Sequence, residues 1–423
     1  MIVDLVTRSI RTILIGKGQK FVFTGKKDTA IPSLAGIDLY IHIPLCRNMC
    51  PYCPYNRIEY DRDLVGPYTR AVLNEIEQYH SRLGNIKISS VYIGGGTPTT
   101  MTDELGIILK SLKEKFTVTG DICIETSPSD LDEAIVQKLK GFGVDLISIG
   151  VQSFNDKFLE ILGRNYNAAK ARSVINLALS SNFKSVNIDL MFALPGQTVE
   201  DMLYDLNEAV NSKADQVTTY PLFTFPYSSV GRYRKIRRLK MPGIFKRRKM
   251  YRTIHNFFTG TGYHRVSVWG FMRNYSPRYS SVTRDSYIGI GAGAGSMLPG
   301  IFYLNTFSVK DYIENASAGK LPIALSMDIT PELRKHYWLY WRFYDTYIDL
   351  QQLHEIFGDS IKWRIIFKVI RLMGLVKVEQ NQIVLTERGA FYIHLLQNYF
   401  ILNYINKVWS AAMKEPWPDR VGI

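Results

Sequence analysis

At 423 residues, the chain is long enough for one barrel-sized domain and a smaller companion. Its 46% hydrophobic and 21% charged residues exclude an intrinsically disordered chain. The net charge of +14 is uneven: segment 232–249 holds ten basic residues (Arg232, Arg234, Lys235, Arg237, Arg238, Lys240, Lys246, Arg247, Arg248, Lys249) and no acidic one. No uninterrupted apolar run is long enough to span a bilayer. Residues Met1 to Lys20 mix apolar and basic side chains without a cleavable apolar core, so the sequence reads as cytoplasmic and unprocessed.

After an N-terminal extension over 1–37, residues 38–225 alternate strand-like and helix-like stretches. Strands are predicted at Leu39–Pro44, Ser90–Gly94, Ile122–Ser127, Leu146–Gln152, Val186–Ala193 and Gln216–Leu222. Amphipathic helices are predicted near 64–82, 103–115, 131–140, 155–162, 168–181 and 199–211. Such units predict an α/β fold with parallel strands and outer helices, here an open sheet or a partial (β/α)6 barrel. Strands ending in Gly94-Gly-Gly-Thr97, Glu125-Thr-Ser127, Gly150-Val-Gln152 and Asp189 place polar groups where such folds bind ligands. Residues 226–325 carry the basic segment and a Gly-rich stretch, Gly289–Gly295. That stretch reads as a close-packed turn slightly ahead of a phosphate cradle. Residues 326–423 predict helices, a short hairpin at Gly374–Thr386 and a further aromatic-rich helix. Together these suggest a winged-helix-like α+β domain that braces or covers the barrel rather than binding DNA.

Three of the four cysteines, Cys46, Cys50 and Cys53, lie within eight residues directly after the first strand. That crowding suits a metal or cluster site in a reducing compartment. The C-x3-C-x2-C spacing lets three thiolates hold three irons of a [4Fe–4S] cube, leaving the fourth iron open for chemistry. A zinc site would want a fourth Cys or His, and His42 lies back along the strand. Cys123, inside an apolar run, reads as a buried strand residue.

Four motifs in order, Tyr40-Ile-His-Ile-Pro44 with the cysteines, Gly94-Gly-Gly-Thr-Pro-Thr99, Ile149-Gly-Val-Gln-Ser-Phe154 and Asp189-Leu-Met-Phe-Ala-Leu-Pro-Gly-Gln-Thr198, carry a family resemblance. The sequence resembles radical S-adenosylmethionine enzymes, and within them the oxygen-independent coproporphyrinogen III oxidase-like (HemN-like) branch. The resemblance covers about residues 36–300. It implies a [4Fe–4S] cluster on Cys46, Cys50 and Cys53, and S-adenosylmethionine on the open iron, cleaved reductively to a 5′-deoxyadenosyl radical. It further implies cofactor contacts from Tyr40, Tyr52, Gly94, Gly95, Gly96, Thr97, Glu125, Gln152, Arg164 and Asp189. The glycines and Thr97 would present backbone groups to the methionyl end, Arg164 would pair with its carboxylate, and Asp189 with the ribose.

Within this branch, the true oxidases carry another cysteine where this chain has Tyr55. The haem-trafficking relatives carry His-Asn-x-x-Tyr-Trp, where this chain has Arg278–Tyr287. The expectation is therefore a transferase that methylates, alkylates or cyclopropanates an sp2 carbon with a second S-adenosylmethionine. Oxidative decarboxylation of coproporphyrinogen (an oxidoreductase) and non-catalytic haem carriage are the alternatives. Tyr55, His264 and Arg273 are the candidates for handling the closing proton. The resemblance implies a flavodoxin- or ferredoxin-like electron donor. The basic, amphipathic 232–249 segment suggests peripheral contact with an anionic membrane, or a phosphate- or carboxylate-bearing lipid, isoprenoid or tetrapyrrole substrate. Nucleic acid is disfavoured, because no base-stacking module accompanies the charge.

Overall fold

In the computed structural model the described residues are 12, 20–25, 31–223, 241–274, 276–280 and 284–423. Six parallel strands form its centre: β1 (Gly36–Ile43), β2 (Lys87–Gly95), β3 (Ile122–Thr126), β4 (Leu146–Gln152), β5 (Ser185–Phe192) and β6 (Gln216–Pro221). They pair in sequence order, each parallel to the next. The crossovers are α1 (Arg62–Leu83), α2 (Thr102–Lys115), α3 (Glu133–Gly141), α4 (Asp156–Ile161), α5 (Ala168–Ser180) and α6 (Val199–Ser212). These match the predicted strands and helices to within three residues at nearly every end, and the predicted α/β class holds.

Local chemistry sets the helix boundaries. Asp61, Asp132, Asn155 and Asn167 each accept a backbone N–H as N-caps, and α6 opens on a reciprocal Thr198–Asp201 capping box. Helix α1 ends at Gly84, whose φ of 67° suits glycine.

Register decides which side chains face inward. Tyr40 pairs with Tyr92, Tyr92 with Cys123, Glu125 with Ser148, Ser148 with Asn187, and Asp189 with Thr218. Because side chains alternate with a period of two, this register aligns Tyr40, Tyr92, Cys123, Glu125, Ser148, Asn187, Asp189 and Thr218 on one face. Aliphatic residues of the other parity, such as Leu39, Ile41, Ile93, Ile124, Ile147 and Ile188, are buried against the helices.

The sheet does not stop at six strands. Beyond β1 it continues through β7 (Tyr287–Ile290), parallel to β1, and then through antiparallel β8 (Gly295–Leu298), β9 (Ile301–Asn305) and β10 (Ile323–Asp328). The short strands Val22–Thr24 and Arg420–Gly422 finish that edge. Beyond β6, Gly270–Met272 and His264–Arg265 add antiparallel.

After β10 come α7 (Pro331–Asp345), the strand Tyr347–Asp349, helices Leu350–Phe357 and Ile361–Leu372, and the hairpin Val376–Glu379 with Gln382–Leu385. The three strands form their own small sheet with Gln382–Leu385 at its centre. This is the helix-and-wing pattern expected for the C-terminal region. Among the described residues, no helix is long and apolar enough to cross a membrane.

Candidate active site

Cys46 ends a short strand after β1, and Cys50 and Cys53 follow on the next turn. All three are free, with Cys46 and Cys50 buried and Cys53 half-buried. Two residues that sequence reasoning passed over shape this loop. The Arg57 guanidinium donates to the carbonyls of Cys50 and Cys53, the latter at 2.7 Å. Asn56 Nδ2 donates to Ala292 O at 3.0 Å and Phe307 O at 2.9 Å. On the opposite side Asn48 Nδ2 donates to Gly163 O at 2.7 Å, docking the loop beside Arg164.

His42 lies beneath the loop. Its Nε2–H donates to Asn56 O at 2.8 Å, so Nδ1 is the acceptor and the Tyr40 hydroxyl donates to it at 2.7 Å. Burial lowers the His42 pKa to about 4, which keeps the ring neutral and this arrangement fixed.

The glycine run is shaped first by the protein's own atoms. A Cβ at Gly94 would sit 2.6 Å from Glu125 Oε2, at Gly95 2.6 Å from the His42 ring, and at Gly96 2.7 Å from Leu45 O. The Gly96 and Thr97 N–H groups donate to Ile43 O and Leu45 O, and the Gly95 N–H to Glu125 Oε2. The Gly95, Gly96 and Thr97 N–H groups are therefore committed to Glu125 and the cysteine loop, and the Thr97 carbonyl to Thr100. Thr97 also places its hydroxyl 3.6 Å from Cys46 Sγ.

Glu125 stands at the end of β3, and the hydroxyls of Tyr92 and Tyr279 both reach its Oε1, Tyr279 at 3.2 Å. Burial raises its pKa. Asp189 accepts from Asn187 Nδ2 at 2.9 Å and from Ser148 Oγ at 3.3 Å. Its pKa rises to about 7, first through burial and then through the charge of Glu125. Gln152, with φ of 69°, turns at the end of β4 and accepts from the Tyr220 hydroxyl at 2.8 Å. The Arg164 guanidinium donates to the Tyr52 hydroxyl and packs between the Tyr52 and Tyr166 rings, while its Nε is buried without a hydrogen-bond partner. A hollow of about 650 Å³ opens beside it, lined by Ser129, Asn165, Asn167 and Lys170.

The structure thus brings Tyr40, Tyr52, Gly94, Gly95, Gly96, Thr97, Glu125, Gln152, Arg164 and Asp189 around the cysteine loop. Tyr55 is half exposed over the whole side chain, but burial first and then the charge of Glu125 raise the pKa of its hydroxyl, so its tip turns toward the same interior. His264 and Arg273 do not. His264 pairs with Met272, itself opposite Gln216 at the start of β6, and Arg273 N–H donates to Asp215 O at 2.9 Å. Both therefore lie at the strand starts, the end of the sheet away from the cysteines, and neither can serve a reaction there. Most of the basic segment, including Arg232, Arg234, Lys235, Arg237, Arg238 and Lys240, lies outside the described residues. Lys246, Arg247, Arg248 and Lys249 begin the helix Ile244–Gly260, where Arg248 forms a two-armed pair with Glu387.

The Gly289–Gly295 stretch packs rather than cradles. A Cβ at Gly291 would meet His42 O at 2.4 Å, and one at Gly293 would meet Asn56 Nδ2 at 2.8 Å. The Gly291 N–H donates to Glu75 and the Ala292 N–H to the Tyr68 hydroxyl.

The donor set suits an iron–sulfur cluster. Burial pushes the Cys46 thiol up to about 12 and raises that of Cys53, with Arg57 opposing both. A thiolate is favourable in such a place only beside a strong cation, which iron supplies. Among the described residues, no three His, Cys, Asp or Glu side chains converge as they would on a single ion. Three cysteines in C-x3-C-x2-C spacing on one loop suit three corners of a cube better than one tetrahedral zinc, which takes four ligands.

These features define a radical S-adenosylmethionine protein, and the family model of the Radical SAM superfamily matches residues 40–209. Among curated relatives, the haem chaperone HemW of Haemophilus influenzae is 32% identical over 63% of this chain and 72% of its own length. That of Bacillus subtilis is 26% identical over 83% of this chain and 95% of its own. The solved structure of the Escherichia coli coproporphyrinogen III oxidase HemN superposes with a TM-score of 0.76 at 21% identity, covering 89% of this chain and 94% of that one. The chain belongs to the HemN-like family of radical S-adenosylmethionine proteins. The family's cofactors are a [4Fe–4S] cluster and S-adenosylmethionine. These relatives lend no support to the expected methyl transfer or cyclopropanation.

Proposed function

We propose that the chain holds the [4Fe–4S] cluster on Cys46, Cys50 and Cys53, binds S-adenosylmethionine against the strand ends, and acts on a tetrapyrrole in the interior above. The observation that carries this reading is the convergence of the cysteine loop, Glu125, Arg164 and Asp189 on one tyrosine-lined face. When bound, the two cofactors supply reductive cleavage of a sulfonium bond and the hydrogen-abstracting radical that results.

The protein's own residues do the rest. Arg164, with its partnerless Nε, is placed to pair with a carboxylate, and Asp189 with hydroxyl donors. Glu125, fixed by two tyrosines, offers its remaining acceptor capacity to an ammonium. Tyr40, Tyr55, Tyr92, Tyr220 and Tyr279 give the interior flat apolar faces with polar tips, which suits an aromatic macrocycle carrying carboxylates. The names of the relatives, haem chaperones and a coproporphyrinogen oxidase, favour the same substrate class. A second S-adenosylmethionine and a flavodoxin- or ferredoxin-like donor complete the proposal.

Haem carriage without turnover is the second reading, favoured by the two chaperone relatives. Anaerobically reconstituted protein, given reductant and methyl-labelled S-adenosylmethionine with haem or coproporphyrinogen, distinguishes the two. Turnover predicts 5′-deoxyadenosine formed in step with loss of the tetrapyrrole. Label in the product would point to alkylation and loss of carboxyl to oxidation. Stoichiometric haem binding with no deoxyadenosine would refute turnover.

A further inference from the structure

The helix Ile361–Leu372 has apolar residues on two opposite faces. Trp363, Phe367 and Ile370 point inward, with the Trp363 ring tilted against Phe357 at 4.9 Å and Phe367 against Phe343 at 6.1 Å. Ile361, Ile365, Val369, Leu372 and the following Met373 recur at helical spacing on the other side, and each is exposed, from 48% at Val369 to 79% at Leu372. A surface helix ordinarily turns polar residues to water, so a second apolar stripe implies something that covers it. Arg364, Lys368 and Arg371 lie along one flank of the stripe and Lys362 at its N-terminal end, its amino group 5.7 Å from the Trp363 ring, and the helix contains no acidic residue. The nearest one in sequence, Asp359, precedes the helix and sits 3.8 Å from His354.

We propose that this helix is a docking face for an anionic lipid surface, its apolar stripe entering the headgroup boundary and its four cations meeting lipid charge. Charge complementarity selects this occupant. In a twofold dimer the same face would meet itself and set four cations against four. A nucleic-acid groove would receive Ile, Val and Leu where phosphate contacts and base edges need donors. A bilayer boundary takes both features at once. The proposal is independent of the reaction at the cysteine loop.

Flotation of the full-length protein with phosphatidylcholine vesicles, with or without phosphatidylglycerol, tests it. Binding is expected only with the anionic lipid and should weaken as salt rises. The double variant Ile365→Asp/Val369→Asp should lose at least about ten-fold in partitioning. Lys368→Glu/Arg371→Glu should lose roughly a hundred-fold on anionic vesicles. All four side chains are solvent-exposed, so circular dichroism and melting should match the parent. Phe245→Asp, on the other basic helix and 89% exposed, should leave flotation unchanged. Four outcomes overturn the proposal: no flotation; flotation lost in Phe245→Asp but kept in the helix variants; a dimer in light scattering that Ile365→Asp/Val369→Asp disperses; or binding of duplex DNA in place of vesicles.

Discussion

Arg57 shows how a residue outside any motif can decide whether the cysteine loop holds its shape. Its guanidinium fastens the carbonyls of Cys50 and Cys53, and the loop has few other internal bonds, one being Cys53 N–H to Cys50 O at 3.3 Å. In Arg57→Ala those carbonyls lose a charged donor, at a cost of about 1.5–3 kcal/mol each where buried. Iron retained per chain after anaerobic reconstitution should fall well below the parent, while Cys46→Ala should abolish the iron-dependent absorbance. Asp189→Asn keeps one acceptor for Asn187 or Ser148 but removes the carboxylate proposed to meet hydroxyl donors. S-adenosylmethionine affinity by calorimetry should drop about ten-fold or more, consistent with the loss of a charged hydrogen bond. The cysteines and the strand-end acids were legible because their spacing or position is chemically unusual. Asn56 and Arg57 were not: Asn56 contacts main-chain carbonyls 236 and 251 residues away, and Arg57 folds back on carbonyls of its own loop, a partner type that no residue pattern reports.

At the level of elements, Glu75 couples helix α1 to the Gly-rich stretch. Its carboxyl accepts from Gly291 N–H at 2.9 Å, Asn305 Nδ2 at 2.7 Å and the Tyr312 hydroxyl at 2.6 Å, and it is fully buried. Burial raises its pKa from 4.5 to about 7 despite those bonds. The folded carboxyl therefore keeps a proton that the unfolded chain releases, so between these values folding takes up a proton and stability falls as pH rises. That loss should reach roughly 3 kcal/mol by pH 8, from about 1.4 kcal/mol per pKa unit. Glu75→Gln, neutral throughout, should remove this share of the decline. The melting temperature of the parent relative to the variant should drop between pH 5 and 8, and a constant difference would mean that Glu75 does not titrate there. The six strand–helix units were legible because apolar periodicity is local. The extension through β7 to β10 was not. Its pairing with β1 joins segments some 250 residues apart, and the glycines that permit it looked as much like a phosphate loop as a packed turn.

Across the whole molecule, the C-terminal region is tied to the barrel by buried polar links rather than by apolar contact alone. Asp345, at the end of α7 and 3% exposed, accepts from Arg278 at 2.6 Å and sits 3.2 Å from Arg342. Arg334 donates to Ser286 Oγ at 2.5 Å, and the Tyr337 hydroxyl to Arg284 O at 3.1 Å. Behind them, Trp269 Nε1 donates to His394 Nε2 at 3.1 Å; burial keeps that ring neutral, with a pKa near 4, so Nε2 can accept. The segment that α7 grips also carries Tyr279, whose main chain is held by Gln216 and whose hydroxyl reaches Glu125. The placement of Glu125 thus depends on a contact chain that begins in the C-terminal region. Asp345→Ala leaves the half-buried Arg278 without the carboxylate it pairs with and Arg342 with Asp285 at 3.7 Å, a loss of about 1.5–3 kcal/mol for a charged hydrogen bond. It should lower the melting temperature and open residues 276–280 and 284–287 to protease. Asp345→Asn retains one acceptor and should fall between the two. Tyr279→Phe leaves the Asp345 pairs intact, so it should weaken S-adenosylmethionine binding with little change in melting. If Asp345→Ala melts early yet binds S-adenosylmethionine as the parent does below its melting point, the contact chain from Asp345 to Glu125 transmits nothing.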